Sequence, residues 1–250
     1  MDRNKTMIPK IIHYCWFGRS PMPELALKCI NSWKKYLPDY EIKEWNEDNF
    51  DVNAIVYTQE AYEAKKYAFV SDYARFKILH EHGGLYFDTD VEVIRPMDDI
   101  IARGPFMGCE CEVTKATDIT VAPGLGLGAI PGLGLYAEIL EFYTTLHFKN
   151  PNGSLNLKTI VEITTEILCR HGLKNTMEIQ ECADVWIYPK DYFNPMIPGH
   201  KIVLTSNTRS IHHYAASWVT GWPLWKDRIT RFLGADITRA IIAVKRCFSK

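Results

Sequence analysis

Residues 66–94, KYAFVSDYARFKILHEHGGLYFDTDVEVI, run from a helical pattern through a glycine pair into a strand, and their reading decides the fold. Phe69, Tyr73, Phe76 and His80 recur at i, i+4, i+7 and i+11, one face of a helix that the pattern extends from Glu60 to His82. Gly83-Gly84 ends it as a favourable C-terminal cap. The following run, Leu85 to Ile94, reads as one strand that Pro96 stops. In an extended strand residues two apart share a face, so Tyr86, Asp88, Asp90 and Glu92 point one way and Leu85, Phe87, Thr89 and Val91 the other. Two carboxylates therefore project together near the strand's C-terminal end, where parallel α/β sheets bind ligands. Ionised carboxylates side by side repel unless a proton or cation offsets them, and hard oxygen ligands select Mn2+ or Mg2+ over zinc or copper. On the preceding helix Asp72 and Arg75 stand at i, i+3, close enough to orient one another. A surface ion pair is the plainer reading, but a carboxylate that accepts beside a guanidinium that donates also suits the hydroxyls of a sugar.

Outward from this unit, Ile11 to Phe17 reads as a buried strand, Leu25 to Tyr36 as a helix stopped by Pro38, and Glu41 to Trp45 as a second strand. Downstream, Gly104 to Val113 is a strand candidate, and Gly124 to Gly134 is too broken by glycine for regular structure. Helices are expected from Leu135 to Leu146 and Leu157 to His171, and short strands at Val185 to Tyr188 and Lys201 to Thr205. Strands that alternate with helices over the first hundred residues predict an α/β fold with a mainly parallel central sheet.

At 250 residues the chain is long enough to bury about 70–75% of its unfolded surface, so it needs no disulfide staples. A net charge of −1 gives no electrostatic reason to bind nucleic acid. Seven cysteines without a C-x-x-C pair point to free thiols in a reducing compartment. The N-terminal residues lack the apolar stretch of a secretory signal, and the expectation is a cytoplasmic protein. Residues 1–225 are expected to form one domain. Residues 226–250 differ: seven basic side chains face two acidic ones, and Ile237, Ile241, Val244 and Phe248 line one helical face. This is a basic amphipathic helix, either docked on its own core or in peripheral contact with the anionic inner face of the plasma membrane.

Three separated segments, IPKIIHYCWFG, SDYARFKILHEHGGLYFDTDV and IHHYAASW, occur in the order found in glycosyltransferase family 32, the DXD-containing sugar-binding-region enzymes, and the chain resembles that family. The resemblance covers residues 8–100 and an island at 205–220. It implies a GT-A type, Rossmann-like nucleotide-sugar-binding domain and a metal-dependent, retaining transfer of a hexose. The donor implied is a nucleoside diphosphate sugar, UDP-linked or GDP-mannose, and the acceptor a saccharide or lipid-linked saccharide in capsule, O-antigen or exopolysaccharide synthesis. Carried over residue by residue, Trp16 stacks on the base, Asp72 and Arg75 hold the donor sugar, and Tyr86 lies near it. Asp88 spans ribose and metal, Asp90 ligates Mn2+ (or Mg2+), and Ser217 and Trp218 donate to the β-phosphate. His213 is the expected third ligand and His212 the alternative; adjacent histidines in a strand face opposite ways, so only one of them can ligate. Residues 105–200 carry no family motif, which leaves the acceptor side undefined, and the glycines there serve either close approach of the backbone to a sugar or simple turns.

Two other readings compete. Leu85 to Val91 also fits the first strand of haloacid-dehalogenase-type phosphatases, with Asp88 as nucleophile. A non-catalytic carbohydrate-binding module would use the abundant aromatics but has no need of paired carboxylates.

Overall fold

A computed structural model of the chain describes residues 7–111, 118–197 and 201–215. The first half comprises β1 (Ile11–Cys15), α1 (Glu24–Tyr36), β2 (Glu41–Trp45), α2 (Val56–Glu63), α3 (Tyr67–His82), β3 (Gly84–Tyr86), β4 (Val91–Val93), α4 (Asp98–Ile101) and β5 (Phe106–Gly108). A 3-10 turn at Pro123–Leu125 precedes β6 (Leu127–Ala129), α5 (Gly134–Thr144) and α6 (Ile160–Arg170). The remaining elements are β7 (Gln180–Cys182), β8 (Val185–Tyr188), α7 (Lys190–Phe193), β9 (Met196–Ile197), β10 (Lys201–Ile202) and β11 (Ser210–His212).

Seven strands form one sheet in the order β2-β1-β3-β6-β5-β8-β7. β1, β2 and β3 are parallel, as are β5 and β8. β6 opposes both its neighbours and β7 opposes β8. Five strands thus run one way, which agrees with the expected α/β fold and mainly parallel sheet. Alternate strand positions feed the two faces. Leu85, Phe106 and Tyr188 pack with Cys29 and Trp33 of α1 and Phe193 of α7. Tyr86, Met107 and Ile187 pack with Phe76, Tyr136 and Ile163 from α3, α5 and α6. No helix among the described residues is long and apolar enough to cross a membrane.

Several expectations are corrected. The single helix from Glu60 to His82 is two, because Lys65 takes a left-handed backbone (φ 56°) that reverses the chain between α2 and α3. The Tyr67 ring then packs where Gly18 has no Cβ, and Tyr62 lies against Tyr67 in a tilted pair with centroids 5.4 Å apart. The single strand from Leu85 to Ile94 is also two. The chain leaves the sheet after Tyr86, turns through residues 87–90, and re-forms as β4, which pairs antiparallel with β11 as a separate ribbon. Tyr86, Asp88, Asp90 and Glu92 therefore do not share one pleated face. The glycine-rich stretch is not irregular throughout: β6 is a central strand, hidden from pattern reading because a glycine sits where the Phe106 ring crosses it. Of the strand expected from Gly104 to Val113, the described residues form β5, and that from Lys201 to Thr205 shrinks to β10.

Candidate active site

α3 stops at Gly83 (φ 64°), and Gly84 (φ 100°) starts β3 against β1, where a Cβ would lie 2.6 Å from the Ile11 carbonyl oxygen. This close approach sets β3 beside β1 with Tyr86 opposite His13. The carboxyl ends of β1 and β3 therefore lie at one edge of the sheet, and there the chain delivers Trp16 from one strand and Asp88 from the other. Trp16 is half-buried, and its indole N–H donates to the Ser20 carbonyl at 2.7 Å.

From α3, Asp72 and Arg75 reach the same edge. The Arg75 guanidinium donates to Asp72 Oδ1 at 2.8 Å, to Asp88 Oδ2 at 3.4 Å, and lies 3.2 Å from Asp88 Oδ1. It lies over the Tyr86 ring, 5.0 Å from the centroid, and donates from Nε to the Ser71 carbonyl at 3.2 Å. With 4% of its side chain exposed, Arg75 braces the two aspartates more than it faces solvent. Tyr86 is 1% exposed beneath it and supports the Arg75 guanidinium. Gly124, in the 3-10 turn, has no room for a Cβ because the Asp88 carboxylate occupies that space. Burial raises the Asp72 carboxyl to about 7 against the pull of Arg75. Burial also lifts Asp88 above the usual carboxylate range, Arg75 opposing it.

The turn at residues 87–90 carries Asp90 toward β11. His213 N–H donates to the Asp90 carbonyl at 2.9 Å, which sets the register of the ribbon. His212 then faces the aspartates, with Nε2 3.1 Å from Asp90 Oδ1, and its neighbour turns away: His213 Nε2 lies 2.8 Å from Glu92, which also accepts from Lys28 at 2.8 Å. The histidine brought to the aspartates is thus His212 rather than the expected His213, a consequence of strand parity. Tyr214 takes a left-handed backbone (φ 48°), and Ala215 N–H then donates to Asp90 Oδ2 at 2.8 Å. Burial works against ionised Asp90, but the His212 and Ala215 hydrogen bonds prevail and hold it low; burial likewise opposes charged His212, and Asp90 prevails.

One ligand atom each from Asp88, Asp90 and His212 falls within a 4.8 Å cluster. Two oxygens and an imidazole nitrogen are a donor set for a divalent cation, and two features favour one here. Burial leaves Asp88 short of positive charge despite Arg75. The buried His212 Nδ1 has no hydrogen-bond partner, which leaves the ring's tautomer unpinned by a second bond.

Beyond the cluster, the Tyr214 ring stands edge-on to His212 with centroids 4.1 Å apart. Its hydroxyl accepts from Asn194 Nδ2 at 2.6 Å and lies 3.4 Å from Glu110 Oε1. Asn194 also donates to the Glu110 carbonyl at 2.8 Å. Glu110, Asn194 and Gly124 were not foreseen: no local motif marks them, and only the sheet order brings them together. Ser217, Trp218 and the helix expected at 226–250 lie outside the described residues.

Residues 23–107 match the family described as glycosyltransferase sugar-binding region containing DXD motif. The chain is 27% identical over 111 residues to inositol phosphoceramide mannosyltransferase 1 of Schizosaccharomyces pombe, covering 40% of this chain and 33% of that one. It is 33% identical over 110 residues to the uncharacterized glycosyltransferase L373 of Acanthamoeba polyphaga mimivirus, covering 40% of this chain and 42% of the relative. The matches therefore span less than half the length of these curated relatives. Among solved structures, the PaToxG glycosyltransferase aligns with a TM-score of 0.48 at 17% identity, over 65% of this chain and 69% of the other.

Proposed function

We propose, from the premise that residues 23–107 are a DXD-containing glycosyltransferase sugar-binding region, that the chain is a metal-dependent glycosyltransferase of the GT-A type. It moves a hexose from a nucleoside diphosphate sugar to a saccharide or lipid-linked saccharide. The observation that carries this reading is the meeting of Asp88, Asp90 and His212 within 4.8 Å, beside the Asp72–Arg75 pair. A UDP-sugar is the first choice of donor. GDP-mannose is the second, because a matched relative is named as a mannosyltransferase.

In this reading Asp88, Asp90 and His212 hold Mn2+ or Mg2+. The bound ion supplies positive charge to the departing diphosphate. The remaining work falls to the chain. Asp72 accepts hydrogen bonds from donor-sugar hydroxyls, and Arg75 holds both Asp72 and Asp88 in place. Trp16, at the end of β1, offers a flat apolar surface to the base. Ser217 and Trp218 are proposed donors to the β-phosphate. Transfer is proposed to retain the anomeric configuration, which NMR of the product checks directly. The phosphatase alternative needs Asp88 free to attack, whereas the Arg75 guanidinium engages both of its oxygens.

The test is thermal unfolding with UDP or GDP, each with and without Mn2+, followed by a panel of UDP- and GDP-sugars for Mn2+-dependent hydrolysis. One nucleotide is expected to raise the melting temperature only with the ion present. No stabilisation by either nucleotide, with or without Mn2+, would overturn the assignment.

A further inference from the structure

A metal-binding imidazole ordinarily donates the proton of its second nitrogen to a carboxylate, a carbonyl or water, and that bond fixes both its tautomer and its orientation. His212 lacks one. Its Nε2 faces Asp90 Oδ1 at 3.1 Å, yet its Nδ1 is buried with no hydrogen-bond partner among the described residues. What meets the ring instead is the Tyr214 phenol, almost perpendicular to it at 86° with centroids 4.1 Å apart. That is closer than the about 4.5–7 Å usual for aromatic pairs, so the two rings are in full contact and a turn of the imidazole about its Cβ–Cγ bond is opposed by the phenol.

The phenol is anchored at its far end. Asn194, 3% exposed, closes α7 and donates from Nδ2 both to the Tyr214 hydroxyl at 2.6 Å and to the Glu110 carbonyl at 2.8 Å. A carbonyl oxygen only accepts, so a flipped amide would set two acceptors against each other, and Asn194 is held in this orientation. The hydroxyl thus accepts from Asn194 and donates to Glu110 Oε1 at 3.4 Å. Glu110 is fixed in turn by its N–H, which donates to the Thr120 carbonyl at 2.9 Å. Glu110 follows β5 and Asn194 follows β8 and α7, so the carboxyl ends of two paired parallel strands grip one phenol. We propose that Tyr214 is a positioning residue: its ring does by contact what a hydrogen bond to Nδ1 does elsewhere, keeping His212 turned toward Asp88 and Asp90, while Asn194 and Glu110 hold that ring in place. The role rests on the reading that Asp88, Asp90 and His212 bind a divalent cation; it does not rest on sugar transfer.

Mn2+ affinity, measured by titration of the full chain without nucleotide, separates the ring from the backbone that carries it. Tyr214 has a left-handed backbone (φ 48°) that sets Ala215 N–H on Asp90, and Tyr214→Asn keeps a residue type that tolerates this conformation while removing the ring. Its affinity is expected to fall tenfold or more, the scale on which the orienting partners of metal ligands act. Tyr214→Phe keeps the ring and is expected to lose a smaller factor, as is Asn194→Ala; the two together lose no more than either alone, because both release the same hydroxyl. In a His212→Ala background Tyr214→Asn costs at most a further few-fold, since its effect runs through that imidazole, whereas a residue that only supports the fold costs the same in both backgrounds. Unchanged affinity in a folded Tyr214→Asn overturns the proposal, as does an equal loss with and without His212; should that variant not fold, unchanged affinity in Tyr214→Phe does the same. If His212→Ala weakens Mn2+ binding and Tyr214→Asn does not, the metal site stands without this role for Tyr214. Wild type that binds no Mn2+ overturns both, and Mn2+ binding that tracks Tyr214 without any nucleotide binding leaves the positioning role standing and removes glycosyl transfer.

Discussion

Which of two neighbouring histidines faces the aspartates is set by a parity that one residue reverses. His212 faces Asp90 and His213 faces Glu92 because β11 is extended and its register against β4 is pinned by backbone bonds. His212→Ala is expected to weaken Mn2+ binding a hundredfold or more, as loss of a direct ligand exceeds the 10–100-fold typical of an outer-shell change. His213→Ala should leave it within a few-fold, with both measured by Mn2+ titration of the purified variants. Equal losses in the two would refute the parity argument. Gly124→Ala places a methyl group where the Asp88 carboxylate sits and should lower Mn2+-dependent donor hydrolysis at least tenfold while the fold persists, checked by activity beside circular dichroism. The aspartates, Asp72, Arg75 and Trp16 were legible because they sit in short motifs. The histidine was not, since strand alternation says that two neighbours differ without saying which faces inward, and the answer lies in a register with β4, about 120 residues upstream.

The elements divide the same way, by whether their cause is local. β2 and β8 match the expected bounds because alternation or an apolar run defines them from within. α6 starts at a capping box, with Thr159 Oγ1 accepting from Glu162 N–H and Glu162 Oε2 accepting from Thr159 N–H at 2.7 Å. Thr159→Ala should cost about 1 kcal/mol of stability, read as a lower midpoint in urea with an unchanged slope. Other elements answer to partners far away in sequence. The break between α2 and α3 is a reversal at Lys65, a residue type with no preference for a left-handed backbone. β6 has Gly128 where a strand pattern wants a side chain, because the Phe106 ring and Ile8 leave it no space. Leu85 to Ile94 alternates faultlessly as a strand, yet the sheet keeps only its first part, and the turn at 87–90 aims the aspartates. The helix–glycine–strand unit was thus legible as a unit, and its bend was not.

Over the whole molecule, stability should carry a mark of pH from a buried residue that takes no part in the proposed chemistry. His13 lies in β1 with no exposed surface; its Nε2–H donates to the Gly83 carbonyl at 3.0 Å and its Nδ1 accepts from the Trp45 indole at 3.0 Å. Both nitrogens are satisfied only in the neutral ring. Burial, offset in part by the Gly83 bond, lowers its pKa from 6.5 to about 4. The unfolded chain therefore binds the proton more readily, so this contribution is complete above pH 6.5 and is lost as pH falls toward 4, about 3 kcal/mol in all. Urea unfolding of wild type and His13→Gln between pH 4 and 7.5 checks it: the wild-type stability should fall more steeply on acidification, and parallel profiles would contradict the assignment. All seven strands of the main sheet lie between Ile11 and Tyr188, whereas His212 arrives on a ribbon outside that sheet. A nascent chain can therefore complete its main sheet while His212 is still unsynthesised, and on the proposed function the meeting of His212 with the aspartates is a late, separate event in the protein's birth.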